Sequence, residues 1–569
     1  MTTQRVPDPG GAALRVPLRP PEQVMRLERM GSFFPTRLSF MPTLVRQICA
    51  EGWRFDRPEV ALDENGWGHA VYRVDCGSRR YSLIAFSQAL EPERRTDRVI
   101  AEAWDASFVL FDGTPTAEDI ARLSTAVPNQ EAARYRPTEL VLSRANKSVR
   151  FFEHMVERLA SGRQPDPSLL GGVGYLMRTT AVYGNGKFGI ADRARIADRP
   201  ELAGSFRAEM LTIYLIRCFT LDLVEHVARH RGGSRFAPLD RGFKRYLGIG
   251  NATGLGMAPF LASHPILIHN WMLARETALA RSRSAPVADQ GRRARFHALL
   301  ERAIRHIGEW RVEDARQSQR IAVLRGELDT LRQRLGRGSL ERDSEMPWDR
   351  LYRLAEREWS VEMQELMVSL LIELHPERVD DLSATMASHA ETCFAPGMRL
   401  AELRALLHDR YRWAFTLDLE DPEQRRLFWY TSEEKLEPRL GDRFQEPGAE
   451  REMPLAVAVD AQALARALAT ASDTESVAEF LLRRPEFRSI VRRVQTVGRH
   501  PYAEIYDNLV AARCLPIDLL RCKLSFFGAS KFDPKSDRWT RITLYQGAPL
   551  PDELDRPGAS DWCFPSLDP

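Results

Sequence analysis

Lysine is scarce in this chain. Seven lysines stand among 81 basic residues in 569, and the other 74 are arginines. Arginine stays charged and grips planar anions through its fork, whereas lysine can lose its proton when buried and can form a Schiff base. Chemistry that needs a titrating basic amine is therefore confined to seven positions: Lys147, Lys187, Lys244, Lys435, Lys523, Lys531 and Lys535. Cysteine is also sparse, with seven residues, no C-x-x-C pair and an odd count. That excludes zinc-ribbon and thioredoxin-type motifs and argues against a disulfide framework, so a reduced, cytoplasmic protein is expected.

Long apolar runs are missing. The stretch 211–224 is broken by Arg217 and Asp222 and is too short to span a bilayer, and no apolar leader core follows the first residues. No membrane partner is expected. The net charge of +3 is nearly balanced and does not point to nucleic acid. A hydrophobic content of 44% over this length is enough for several domains and a large core.

The patterning predicts an α+β protein, predominantly helical, with a small N-terminal antiparallel sheet, a helical core with a long helical arm, and a C-terminal β-hairpin. Residues 1–35, rich in Pro, Arg and Gly, read as a flexible tail. Residues 36–135 read as a small α+β domain, with a helix at 38–50 and strands at 70–74, 81–86, 98–103 and 107–111 separated by turn signals. Residues 136–290 read as a helical core, with helices at 143–161 and 206–230. The second is apolar nearly all round and should be buried. Residues 291–345 form an arginine-rich arm in which Ile321, Leu324, Leu328, Leu331 and Leu335 alternate at spacings of three and four. An intramolecular helix pair or a homo-oligomer contact through 292–336 fits that stripe. Residues 346–497 read as helical around a polar loop at 416–455. Segment 498–569 carries the hairpin, with strands at 522–527 and 541–545 and a turn at 532–537.

Two glycine-rich stretches flank the apolar helix. In the first, Gly184-Asn185-Gly186-Lys187-Phe188-Gly189 follows Arg178 and Tyr183. Glycines let backbone N–H groups converge on an anion, and a lysine beside them adds charge. It is not a Walker A loop, because Ala181 and Phe188 stand where that motif needs Gly and Ser or Thr. The second runs Gly248-Ile249-Gly250-Asn251-Ala252-Thr253-Gly254-Leu255-Gly256. It holds only a fragment of the dinucleotide fingerprint, with Pro259 in place of the third glycine.

Thr253 to Leu261 resembles the Thr-Gly…Ala-Pro-Phe loop of the ferredoxin-reductase family, and Arg79-Arg80-Tyr81-Ser82 resembles that family's Arg-x-Tyr-Ser. The resemblance implies a flavin- or nicotinamide-dependent oxidoreductase. An inserted residue in the first and the helical segment between the two depart from the family's pattern, and membership is not claimed.

Four further features complete the reading. Glu225, His226 and His230 lie at the end of the apolar helix, where His226 and His230 share a face, but the H-E-x-x-H order is absent, and no metal is expected. Arg217, inside an apolar helix, needs a partner: an internal ion pair, or a substrate's carboxylate or phosphate. The aromatic segment 428–439 reads as a surface turn or a closing loop. On the hairpin, Lys523, Ser525, Arg541, Thr543 and Tyr545 share the polar face. The reading expects an enzyme acting on a small anionic metabolite. Lys187 and Tyr183 would be catalytic, and Arg178, Arg217, Asn185, Asn251, Thr253, Lys523 and Arg541 substrate-binding. A non-catalytic scaffold joined through 292–336 and a flavin or nicotinamide oxidoreductase are the alternatives. The sequence names no cofactor.

Overall fold

A computed structural model describes residues 14–91, 103–129, 135–149, 151–179, 196, 199–204, 206–253, 264–286, 289–310, 312, 314–336, 345–386, 393–418, 420–421, 429–432, 438–440, 449–451, 455–506, 516–529, 531–534 and 540–562. The chain forms two compact units, each assembled from three separated stretches. One comprises Met1–Phe33, Leu255–Glu301 and Ala322–Lys523; the other comprises Phe34–Gly254, Arg302–Ile321 and Leu524–Pro569.

The second unit is organised by a nine-stranded sheet. Its strands in chain order are β1 (Arg54–Leu62), β2 (Gly68–Asp75), β3 (Arg80–Ser87), β4 (Ala106–Asp112), β5 (Glu139–Lys147), β6 (Tyr175–Thr179) and β7 (Gly248–Thr253). After three short strands elsewhere, β8 (Trp429–Ser432), β9 (Pro438–Leu440) and β10 (Ala449–Arg451), come β11 (Lys531–Pro534) and β12 (Thr540–Leu544). The order across the sheet is β1-β2-β3-β4-β5-β6-β7-β12-β11. The pairings are antiparallel except β6 with β7, which run parallel. The small N-terminal sheet and the C-terminal hairpin expected as separate features are thus parts of one sheet. Edge strand β1 escapes a pattern search because most of it is exposed, so no buried face sets an alternation. It also contains Pro58, which cannot donate to a ladder, and the pairing with β2 shifts register between Asp56 and Glu59.

Both faces of the sheet are covered. The capped helix Ala117–Ala126, whose Thr116 and Asp119 exchange hydrogen bonds, packs Ile120 and Leu123 against Val71, Ile84, Phe86, Val109 and Phe111. On the opposite face the long helix Arg207–Gly232 sets Phe219 against Tyr72 and Phe108. This helix is buried nearly all round, as its composition predicts. Strands β3 and β4 are buried along most of their length for the same reason.

Several expectations need correction. The helix expected over 143–161 is strand β5 followed by helix Phe152–Ala160, in which Phe152, Met155, Val156 and Leu159 form the buried stripe while Val149 is exposed. Residues 522–527 belong to helix Pro516–Phe527, not to a strand; Cys522, Leu524, Phe526 and Lys523 are all buried, so their alternation marks no single face. The hairpin strands are β11 and β12 instead, and β11 includes part of the segment expected to turn. The arginine-rich arm is two helices, Gln290–Gly308 and Ala315–Gly336, parted where Arg311 and Asp314 interrupt the apolar register.

The first unit is helical, built on Pro265–Arg283, Pro347–Glu358, Val361–Leu374, Leu400–Arg410, Leu455–Leu468 and Arg488–Arg499, with β10-β8-β9 as a three-stranded sheet. The N-terminal stretch expected to be a tail is integral to it from residue 14 onward. Val16, Val24, Met25, Leu27, Met30 and Phe33 are buried, and Arg19 is 4% exposed. Arg19 is held by a charge cluster. Its Nε and Nη2 donate to Glu276 at 2.7 and 2.8 Å, and its Nη1 donates to Glu365 at 2.8 Å. Arg29 donates to Glu365 at 3.2 Å, Arg275 donates to the same carboxylate, and the Tyr502 hydroxyl donates to the Arg19 carbonyl at 2.8 Å. Burial would raise the Glu365 pKa, but the charges of Arg19 and Arg275, the Arg19 hydrogen bond and Arg29 outweigh it and hold it down at about 2.

Candidate functional site

The parallel pair β6–β7 concentrates the chemistry the sequence singled out. The two strands run in the same direction, with Arg178 opposite Gly250 and Thr179 opposite Asn251, so both carboxyl ends lie at one end of the sheet. Each leads straight into a glycine-rich stretch of sequence, at 184–189 and 254–256. The carboxyl ends of parallel strands are where sheets most readily admit a ligand, because the chain leaves both strands there.

Glycine makes the local packing possible. A Cβ at Gly250 would lie 2.6 Å from the Tyr175 ring, and one at Gly248 would lie 2.2 Å from the Leu544 carbonyl oxygen. The first half of the second glycine-rich run is therefore a strand squeezed between β6 and β12, and two of its glycines are explained by close approach of neighbours.

Asn251 is fully buried, and its Nδ2 donates to the Thr179 carbonyl at 2.9 Å, tying the two strands together at their ends. Its Oδ1 is buried and accepts no hydrogen bond among the described residues. A buried acceptor left unmet costs about 1–3 kcal/mol, so a donor supplied from elsewhere has a defined place to go. Arg178, 7% exposed, sits at the neighbouring position on β6. In register, Arg541 on β12 lies opposite Ala252, and Thr540 lies opposite Thr253. On the other side Asn146 of β5 pairs with Arg178. Asn146 was not singled out from the sequence. Its Oδ1 accepts from the Asp105 amide at 2.8 Å and its Nδ2 donates to the Ala103 carbonyl at 3.1 Å, which anchors the chain entering β4.

The topology thus brings Arg178, Asn251, Thr253 and Arg541 to one end of the sheet. Lys187, Tyr183 and Asn185 lie outside the described residues. Two others are placed differently. Arg217 is fully buried in the long helix and donates to four backbone carbonyls: Leu247 at 2.7 Å, Arg245 at 2.9 Å, Lys244 at 3.2 Å and Pro549 at 3.3 Å. Its fork fastens the approach to β7 and the segment after β12 through backbone carbonyls, not through the internal ion pair that the sequence suggested. Lys523 lies on a helix rather than on a hairpin strand, and its burial lowers the ammonium pKa well below the ordinary value.

The remaining features fall into place. Glu225 accepts from Lys244 Nζ at 2.9 Å and from the Leu239 amide at 2.7 Å. His226 Nε2 meets the Asp63 carbonyl at 2.7 Å, and His230 Nδ1 meets the His226 carbonyl at 2.9 Å. Among the described residues no group of three or more His, Cys, Asp or Glu is arranged to hold a metal ion. Tyr81 donates to Glu201 at 3.2 Å, and Arg79 pairs with Asp112 at 3.3 Å. Strand β3, which carries Tyr81 and Ser82, is separated from β7 by β4, β5 and β6, so Tyr81 and Thr253 sit on strands about 19 Å apart. The stripe Ile321, Leu324, Leu328, Leu331 and Leu335 is buried within the single chain. Among the described residues no helix is long and apolar enough to cross a membrane. No protein-family model, curated protein or solved structure matches the chain.

Proposed function

We propose that this protein is an enzyme acting on a small carboxylate- or phosphate-bearing metabolite, held at the carboxyl ends of β6 and β7. The observation that carries the reading is Asn251. It is a buried side chain that joins the two parallel strands through its Nδ2, while its Oδ1 accepts no hydrogen bond among the described residues. Arg178 on β6 pairs with Gly250 and Arg541 on β12 pairs with Ala252, each one position from Asn251 along the flanking strands. Lys187 in the first glycine-rich stretch is the proton-transfer or electrostatic group, with Tyr183 beside it.

The test uses the full-length chain. Native mass spectrometry of freshly purified protein is followed by calorimetric titration with inorganic phosphate, pyrophosphate and malate. Saturable binding of one of these anions is expected, weakened tenfold or more in Lys187→Ala and in Asn251→Ala while far-UV circular dichroism is unchanged. If no anion binds and none co-purifies, or if folded Lys187→Ala binds as the parent does, the proposal fails.

A further inference from the structure

A pocket of about 400 Å³ opens in the sheet-containing unit at the opposite end of β7. Its lining includes Leu239, Arg241 and Lys244, which precede β7, and Leu550, which follows β12. It shares no lining residue with the carboxyl ends of the parallel pair.

The pocket has two chemically distinct parts. Phe55, Leu215, Leu221, Leu239 and Leu550 supply an apolar floor. Cys218 belongs to that floor too, since burial pushes its thiol up to about 12 and keeps it neutral. The charged part is balanced: Arg57, Arg241 and Lys244 face Asp56, Asp222 and Asp552. Most of these charges are committed to one another. Arg241 pairs with Asp552 at 2.8 Å, and Asp222 Oδ2 receives both the Tyr72 hydroxyl at 2.8 Å and Arg57 Nη1 at 2.6 Å.

Asp222 and Lys244 both keep capacity. Asp222 Oδ1 accepts nothing among the described residues, since both contacts fall on Oδ2. Lys244 Nζ spends one of its three N–H bonds on Glu225, at 2.9 Å. A pure anion entering here would meet Asp222 and Asp552, and a pure cation would meet Arg241 and Lys244. A molecule carrying both signs satisfies an acceptor and a donor without leaving a charge opposed. The volume lies near the lower end of the roughly 300–1,000 Å³ typical of ligand pockets, so the guest is small.

We infer that this pocket binds a small zwitterion with an apolar body, of the α-amino-acid type, with its ammonium on Asp222, its carboxylate on Lys244 and its side chain on the leucine floor. The site is independent of the one proposed at the carboxyl ends of β6 and β7.

Calorimetric titration of the full chain with L-phenylalanine and L-leucine tests it, with phenylalanine amide and 3-phenylpropionate as probes that lack one charge. Saturable binding of at least one amino acid is expected, with both probes at least tenfold weaker. Asp222→Asn and Lys244→Met should each weaken the amino acid tenfold or more, while Asn251→Ala leaves it unchanged. Thermal melts establish that the variants are folded. Absence of saturable binding at millimolar amino acid overturns the inference. So does binding of 3-phenylpropionate as tight as that of phenylalanine, or insensitivity to both pocket variants.

Discussion

Replacing Glu365 with glutamine should destabilise the helical unit severely. The carboxylate is fully buried and receives Arg19, Arg29 and Arg275, while Glu276 is the other acid in that cluster. Removing its charge leaves three guanidinium groups around one carboxylate. Breaking a buried ion pair by deleting one partner costs about 3–5 kcal/mol, a large share of the roughly 5–15 kcal/mol that holds a folded domain. Proton linkage leads to a similar magnitude. A folded pKa of about 2 lies well below the ordinary glutamate value of 4.5. At about 1.36 kcal/mol per pKa unit, this contributes about 3 kcal/mol above pH 4.5. Because the folded pKa is depressed, the unfolded chain binds the proton first. The contribution is full above pH 4.5 and is lost as pH falls toward 2. Urea unfolding followed by tryptophan fluorescence, with Trp271 and Trp348 buried in this unit, reads the loss. Glu365→Gln should lower stability by about 3–5 kcal/mol and flatten the acid limb between pH 4.5 and 2. Adding Arg275→Met restores the charge count, and the double variant should recover about 1–3 kcal/mol. A loss under about 1 kcal/mol, or a double variant no more stable than the single, would refute the reasoning.

Other consequences are open to measurement. Arg217→Lys keeps the charge but cannot reach four carbonyls, so it should cost about 2–4 kcal/mol in urea unfolding; a neutral result would show that the fork is dispensable. Gly250→Ala drives a methyl into the Tyr175 ring and should cost about 1–3 kcal/mol, most of it recovered by adding Tyr175→Ala. Leu324→Ala should cost about 2–5 kcal/mol through a buried cavity and leave the mass in solution unchanged, since Leu324 is already covered within one chain. A change of oligomeric state would instead favour a partner on that helix.

Much of the helical framework was legible because apolar periodicity survives in a chain this rich in arginine. The helix Arg207–Gly232, the stripe from Phe152 to Leu159 and the run of leucines from Leu324 to Leu335 were all readable, as were β2, β3 and β4. The sheet's extent was not. Strand β1 is an exposed edge with no buried face to set a period, and β7 mimics a loop because its glycines make room for neighbours that the sequence cannot show. Lys523 misled because alternation over six residues fits a strand and an entirely buried helix equally well. Arg19 and Glu365 were invisible for a different reason: they are 346 positions apart, and nothing local marks either as one half of a buried pair.

The sheet also sets a schedule for synthesis. Strand β7 pairs with β12, and Thr253 waits for Thr540, 287 positions further along the chain. At roughly 5–20 residues per second, a ribosome needs about 15–60 s to deliver that partner. During that interval β7 has one flank with no strand to meet, which is the condition under which unpaired edges recruit the wrong chain. Its weakly apolar sequence, Gly-Ile-Gly-Asn-Ala-Thr, is a poor template for such errors, so the same glycines that admit close neighbours in the finished sheet protect the nascent one.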